Sequence, residues 1–240
     1  MNKSVQSPNL KQQEYFLDTM NPARKRIHKA ALRLFAEKGV SQVNVSDLAQ
    51  AASVARGTIY NNLSSPELLF EEIACQLAVE MLTRTVKFFE PIEDPAERLA
   101  NGIRLFIRRA HDEPDWGRFL IRFSLTNDSL RNIWNGPSMQ DLISGSELGR
   151  YQFRPEQLPS IVAMIGGSVI ASMMVVLEGH KTWRDAGSDT AEFILRSLGI
   201  SADEAQRIAT GELQPLPEVE VFQKKCIIER VKEKLLPAKK

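Results

Sequence analysis

The segment SVARGTIYNNL, residues 53–63, concentrates side chains that can hydrogen-bond a polar, anionic surface. An arginine near a helix start can contact a phosphate or a guanine, and an asparagine can bond adenine through both its donor and its acceptor. Threonine and tyrosine hydroxyls can donate to phosphates, which set orientation more than sequence. A glycine here costs about 1 kcal/mol of helix propensity relative to alanine, but it allows a DNA backbone to approach closely. The residues predicted to face DNA are Arg56, Gly57, Thr58, Tyr60, Asn61 and Asn62.

The spacing from Asn44 to Leu63 predicts two short helices joined by a tight turn, with the second helix in the major groove. Residues 44–47, NVSD, have the pattern of a capping box, in which Asn44 caps the helix and Asp47 lies near the positive end of its dipole. Asn44 is also a candidate DNA contact. Ala52-Ser53-Val54 is predicted to be the turn.

Helical signals continue along the rest of the chain, and no alternating strand pattern is present, so the sequence predicts an all-α protein. Asn21-Pro22 and Ser65-Pro66-Glu67 predict helix starts, and Gly39 predicts a helix end. The remaining predicted helices lie at residues 66–89, 95–112, 116–126, 128–144, 155–179, 188–198 and 201–209, followed by a linker at 211–217 and a charged helical tail.

Charge is unevenly distributed along the chain. Residues 1–66 contain nine Lys or Arg and four acidic residues, a net charge of +5, so the remainder carries −4 of the total of +1. A basic first quarter on an acidic remainder favours an anionic partner for the N-terminal part, such as nucleic acid or an anionic membrane surface.

The sequence offers little to support catalysis or a metal site. His28, His111 and His180 are isolated, and His28 is predicted to lie on the solvated side of the first helix. Cys75 and Cys226 share no close spacing, and the chain contains no phosphate-binding glycine loop or nucleophile motif. We therefore expect no enzyme activity, no metal and no cofactor.

Residues 161–177, IVAMIGGSVIASMMVVL, carry no charge but fall short of the ~20 residues that a membrane-spanning helix needs. A helix covered on all sides inside a soluble protein is the expected interpretation. The N-terminus has no apolar stretch of signal-peptide length, so the expected location is the cytoplasm, with no membrane partner.

Residues 26–74 resemble the DNA-binding domain of the TetR/AcrR family of transcriptional regulators. The resemblance rests on ALRLFAEKG, on the VSDLAQAA helix, on ARGTIY and on the Ser-Pro-Glu helix start, in that order. Ser53 stands where the family commonly has a glycine, and Pro66 replaces a frequent lysine. The segments DLISGSELGRYQFRPE and AEFILRSLGISADEA are similar in pattern to the ligand-binding halves of such proteins.

The resemblance implies a ligand-responsive homodimer, more often a repressor than an activator, on a near-palindromic operator. It implies a helix-turn-helix domain at 21–65 and a helical regulatory and dimerisation domain at 66–210. We expect an N-terminal extension at 1–20 and a linker and charged tail at 211–240, with the extension and the tail from 218 outside the common core of the family. The effector would be a small apolar or amphipathic molecule, with candidate contacts at Trp116, Phe119, Phe123, Trp134, Met164 and Ser168. Candidate dimer contacts are Gly167, Ala171, Val175, Phe193, Ile194 and Leu198.

Two alternatives remain open at this point. One is an enzyme. The other is a family member that has lost specific DNA binding and acts through protein contacts. A steep salt dependence of DNA affinity separates the regulator from the second alternative, because phosphate contacts release counterions.

Overall fold

The computed structural model describes residues 22–63, 65–134 and 137–218, and within these ranges it contains eleven α-helices and no strand. The predictions for the N-terminal extension and for the tail beyond residue 218 lie outside the described residues. The helices are α1 (Pro22–Lys38), α2 (Val45–Ala51), α3 (Arg56–Asn62), α4 (Pro66–Phe89), α5 (Pro95–Asp112), α6 (Pro114–Phe123), α7 (Asp128–Arg131), α8 (Pro137–Glu147), α9 (Leu158–Leu177), α10 (Trp183–Ser197) and α11 (Ala202–Thr210). This arrangement confirms the predicted all-α class.

The first four helices begin and end as the sequence predicts. Gly39 follows α1 with φ of 84°, a backbone conformation that favours glycine. The Asn44 side chain accepts hydrogen bonds from the backbone N–H groups of Ser46 and Asp47, which completes the capping box of α2. The Ser65 hydroxyl accepts from the N–H of Leu68 at the start of α4. Local capping therefore fixes the boundaries of the helix-turn-helix.

Two predicted helices differ from the observed ones. The single helix predicted at 128–144 is divided into α7 and α8, because Pro137 has no N–H to donate to a continuing helix and instead begins a new one. The helix predicted at 188–198 begins earlier, at Trp183, where the Thr182 hydroxyl accepts from the N–H of Asp185. Gly187 lies inside α10, where the absence of a side chain lets the helix pack closely on Arg104 of α5.

An aromatic cluster joins the helix-turn-helix to the helices that follow. Phe35 of α1 meets Phe70 of α4 edge to face with ring centroids 5.7 Å apart. Phe70 in turn contacts Phe119 and Phe123 of α6, with centroid distances of 5.5 and 4.9 Å. Such aromatic pairs add about 0.5–1.5 kcal/mol each beyond their buried area. Helix α1, on which α2 packs, is therefore held directly against α4 and α6.

Helix α9 is covered on only one side, which differs from the expectation of a helix buried on every face. Its inward residues, Ile165, Val169 and Met173, are buried against the core, and Ser172 shares a 2.6 Å hydrogen bond with Thr190 of α10. By length and composition alone, the helical stretch Pro155–Leu177 could cross a membrane, and 33% of its most apolar window is buried. The opposite side of α9 is apolar and open.

Candidate functional site

Helix α3 presents a polar face that nothing in the described chain covers. Ile59 is buried beneath the helix, while Arg56, Gly57, Tyr60 and Asn61 lie on the outside, with Tyr60 68% exposed. Arg56 forms no ion pair with any described residue, so its charge is available to an external anion. A Cβ added at Gly57 would meet nothing within 4 Å, so the folded subunit itself does not require glycine there.

Three other predicted DNA contacts are partly occupied by the protein. Thr58 and Asn62 are only half-exposed, and the side-chain amide of Asn62 donates a 2.7 Å hydrogen bond to the Thr58 carbonyl. Asn44 is exposed, but its side-chain oxygen accepts the two capping bonds of α2. This leaves Arg56, Tyr60 and Asn61 as the freest groups on the surface.

The turn between α2 and α3 holds a strained residue. Ser53 has φ of 53°, and it is the only described non-glycine residue with positive φ. Its N–H donates to the Gln50 carbonyl, and the N–H of Val54 donates to Ala49. The left-handed conformation costs a residue with a side chain roughly 1–2 kcal/mol, so the hydrogen-bonded turn imposes this geometry on the serine.

Arg24 and His28 of α1 meet Glu72 of α4 where the two helices pack together. Glu72 of α4 accepts a hydrogen bond from Arg24 and lies 3.5 Å from His28 Nε2. His28 is buried, so the prediction of a solvated histidine was wrong: α4 covers this side of α1. Burial lowers the pKa of His28, the positive charge of Arg24 lowers it further, and Glu72 opposes both effects.

Helix α6 connects the end of α1 to the interior of the regulatory helices. At its C-terminal end, the Arg122 guanidinium donates to the carbonyls of Ala36 and Glu37 at 3.1 and 3.0 Å. At its N-terminal end, Trp116 is buried with its ring 5.9 Å from that of Phe106 on α5. A movement of α5 near Phe106 can therefore reach the DNA-binding helices through a single short helix.

An apolar cavity of about 30 Å³ lies between the C-terminal end of α4 and helices α5, α8 and α9. Phe106 and Trp134 form one wall, with ring centroids 5.2 Å apart. The other lining residues are Phe89, Arg98, Leu99, Gly102, Ile103, Asp141, Leu142, Val162, Ile165 and Val169. This volume holds about one or two water molecules, so a larger guest must widen it.

The two charged residues of the cavity neutralise one another. Arg98 Nη2 lies 2.7 Å from Asp141 Oδ1, and Nη1 donates to the Ile92 carbonyl at 3.0 Å. Burial raises the pKa of Asp141, while the Arg98 guanidinium opposes this. The Nε–H of Arg98 and the indole N–H of Trp134 are buried without a hydrogen-bond partner in the described chain. Within the described ranges, no cluster of His, Cys, Asp or Glu could hold a metal ion.

Comparison with known proteins gives two family-model matches along the chain. The family model for bacterial regulatory proteins of the tetR family matches residues 27–73. The model for the tetracyclin repressor-like C-terminal domain matches residues 94–211, so the two together cover more than half of the chain. The chain belongs to the TetR family of transcriptional regulators.

Individual relatives of this TetR-family regulator are distant. It is 23% identical over 212 residues to the uncharacterized HTH-type transcriptional regulator YerO of Bacillus subtilis, an alignment that covers 85% of this chain and 71% of YerO. It is 26% identical over 154 residues to the HTH-type transcriptional repressor DhaR of Mycobacterium sp., covering 59% of this chain and 75% of DhaR. The chain is also 26% identical to RolR, whose crystal structure in complex with resorcinol matches it with a TM-score of 0.62, covering 87% of this chain and 100% of the RolR chain.

Family membership means a regulator that binds DNA through its helix-turn-helix, and members of the family bind small-molecule ligands and act as dimers. The matches indicate transcription regulation. The question that remains for this TetR-family regulator is which of its own residues do each task.

The six residues predicted to contact an effector lie in four different places in this TetR-family regulator. Only Trp134 lines the cavity. Trp116 lies one layer behind it, stacked under the Arg109 guanidinium at 4.5 Å. Phe119 and Phe123 pack on Phe70, in the aromatic cluster that connects α1, α4 and α6. The last two, Met164 and Ser168, lie on the open side of α9.

The predicted dimer contacts are also divided. Gly167, Ala171 and Val175 follow the open side of α9, and Phe193 of α10 lies beside them, 63% exposed. A groove of about 420 Å³ runs between these two helices. Two further residues predicted for the interface, Ile194 and Leu198, are buried in the subunit's own core. Leu198 follows the end of α10, which packs on α5, whereas Ile194 also lines the groove.

Arg98, Arg122 and Asp141 were not among the residues predicted from the sequence. Each lies on an amphipathic helix where a charged residue normally faces solvent, so no local pattern distinguishes it. The one available signal is the apolar context of Asp141, which immediately precedes Leu142 and Ile143 in an otherwise weakly charged helix.

Proposed function

We propose that this protein is a dimeric repressor that a small, apolar or amphipathic effector releases from a near-palindromic operator. The single observation that carries the proposal is that α6 joins the two halves of the molecule: Trp116 lies beside the cavity wall, and Arg122 holds the end of α1. The resemblance to a protein named as a repressor, DhaR, supports the direction of regulation. Repressors of this kind work in the cytoplasm, where their operators are.

The open face of α9 and α10 supports the dimer. Met164, Met174 and Phe193 are large apolar side chains left exposed on a helix pair that is otherwise well packed. Gly167 and Ala171 lie one turn apart on the same face, where small side chains let two helices approach closely. A twofold axis through this face gives two copies of α3 and predicts operator half-sites about 34–36 Å apart, or a multiple of that spacing.

Release follows if the effector prefers the conformation in which the two reading helices no longer fit successive major grooves. A ligand with equal affinity for both states shifts nothing. The cavity is only about 30 Å³ in the described state, so a ligand that fills it must favour a widened state. The crystal structure of RolR with resorcinol shows that a small ring compound is held by a protein of this fold. Widening at Phe106 is transmitted to α1 through α6.

The test is selection of random duplex DNA on the purified full-length protein, followed by sequencing of the retained DNA. Enrichment of a near-palindrome, with two protein chains per duplex in light scattering, supports the dimeric DNA reader. Arg56→Ala serves as the matched control, because it removes an exposed, unpaired charge without touching the core. If the folded protein enriches no sequence and binds DNA with shallow salt dependence, the proposal is refuted in favour of a role through protein contacts.

A further inference from the structure

The polar groups of the cavity define what chemistry its ligand must bring. Two buried N–H donors, Arg98 Nε and Trp134 Nε1, have no partner in the described chain although both residues line the same cavity. Leaving a buried donor without a partner costs roughly 1–3 kcal/mol. A guest with an acceptor oxygen removes that cost, whereas a hydrocarbon leaves it in place.

Charge excludes the ionised classes of ligand. The positive charge of Arg98 is already matched by Asp141 at 2.7 Å and by the Ile92 carbonyl. A carboxylate placed beside this pair would bring a buried negative charge with no cation left to match it, and an ammonium group would meet the reverse problem. The cavity therefore favours a ligand without net charge.

Shape selects a flat ring. Phe89, Phe106 and Trp134 supply aromatic faces, and Gly102 keeps the space next to Phe89 free, since a Cβ there would lie 3.2 Å from the Phe89 ring. Aromatic rings pack favourably on one another when offset or edge to face. Trp134 lies between α7 and α8, outside any helix, and its backbone N–H donates to the Arg131 carbonyl at the end of α7.

Resting on the function proposed above, we propose that the effector is an uncharged, hydroxylated monocyclic aromatic compound. Its hydroxyl oxygen accepts from the Trp134 indole N–H, and its hydroxyl proton is donated to the Asp141 carboxylate. The ring takes the space between the aromatic wall and α9. A single hydroxyl thus serves as acceptor and donor at the one polar corner of an apolar cavity.

The experiment measures binding of phenol, toluene and benzoate to the full-length protein by ligand-observed NMR. Phenol and toluene have nearly the same size, and benzoate adds a charge. We expect phenol to bind about tenfold tighter than toluene, since one satisfied hydrogen bond to a buried group is worth about that factor, and we expect benzoate to bind weakest at neutral pH.

Three variants make the assignment specific. Trp134→Phe removes the indole donor while keeping the aromatic wall, so phenol should lose about three- to tenfold in affinity and toluene should lose less than twofold. Asp141→Asn leaves Arg98 unmatched and should reverse the preference towards benzoate. Trp183→Phe, on the outer side of α10, is the matched tryptophan control and should change neither affinity. Should Asp141→Asn fail to fold, the Trp134 comparison still decides the matter.

The inference is overturned if phenol does not bind, if toluene or benzoate binds as tightly, or if Trp134→Phe leaves phenol affinity unchanged. The same three compounds are added to the protein bound to its selected operator. If benzoate or toluene displaces the DNA and phenol does not, this inference fails while the proposed function stands. Failure to enrich any operator, with phenol bound as expected, overturns the proposed function instead and leaves the ligand chemistry supported.

Discussion

Replacing Arg56 by alanine tests whether α3 reads DNA. Arg56 is exposed and has no ion pair in the described chain, so its whole charge is available to a phosphate or a base edge. Removing it deletes no ion pair of the described chain, and surface substitutions of this kind change the free energy of unfolding by less than about 0.5 kcal/mol. We therefore expect folding and dimerisation to be unchanged and DNA binding to weaken.

The magnitude follows from the number of charges lost. A dimer on its operator loses two copies of Arg56, and each phosphate contact contributes about −0.9 to the slope of log affinity against log salt. If both copies contact phosphates, the variant's slope should be shallower by roughly 1.8, so between 50 and 200 mM salt the wild-type protein should lose about tenfold more affinity than the variant.

The assay is operator binding by fluorescence anisotropy at several salt concentrations, with thermal unfolding measured in parallel. Arg207→Ala is the matched control, because it removes an exposed arginine from α11, which packs on α5 and α10 away from the reading helix. The control should keep the wild-type slope. An unchanged slope together with unchanged affinity in Arg56→Ala would show that Arg56 does not face DNA, and a loss of thermal stability would show that it supports the fold instead.

Three further changes probe other parts of the molecule. Ser53→Gly should stabilise the protein by about 0.5–1 kcal/mol in urea unfolding, because glycine adopts the positive φ of this position without strain. The control Ser46→Gly, inside α2, should destabilise the protein, and equal effects of the two changes would show that Ser53 is not strained. Burial lowers the pKa of His28 below 6.5, so on acidification the unfolded chain takes up the proton before the folded chain does. The free energy of unfolding should therefore be constant above pH 6.5 and fall below it, and His28→Gln should remove most of this pH dependence. Arg122→Met should reduce the effect of effector on operator affinity while leaving effector binding unchanged, and an unaltered effect would exclude α6 as the connection.

The helix-turn-helix could be predicted from the sequence because its determinants are local. The capping box at Asn44 and Asp47, the turn at Ser53 and the Ser65 cap act within a few residues of one another, and all are observed. The pattern of apolar residues was also sufficient for α1 and α4. It could not show that His28 is buried, because the helix that covers it, α4, is more than thirty residues further along the chain.

The regulatory half was harder to predict because its surfaces are set by which helices meet. Phe119 and Phe123 are aromatic residues at helical spacing, as effector contacts often are, but α6 turns them towards Phe70. Ile194 and Phe193 are adjacent in sequence, yet one is buried in the core and the other is 63% exposed. The type of a residue alone does not show whether it lines the cavity, packs between two helices or lies on a dimer interface.

The small volume of the cavity has a consequence for the time course of induction. A cavity of about 30 Å³ admits an aromatic ring only after its walls have separated, so the widened state must form before or during ligand entry. Association that waits on such a conformational change is slower than diffusion allows. At high effector concentration the observed rate then reaches a plateau set by the opening of the protein, and the response of the regulated genes is timed by the protein rather than by the arrival of the ligand.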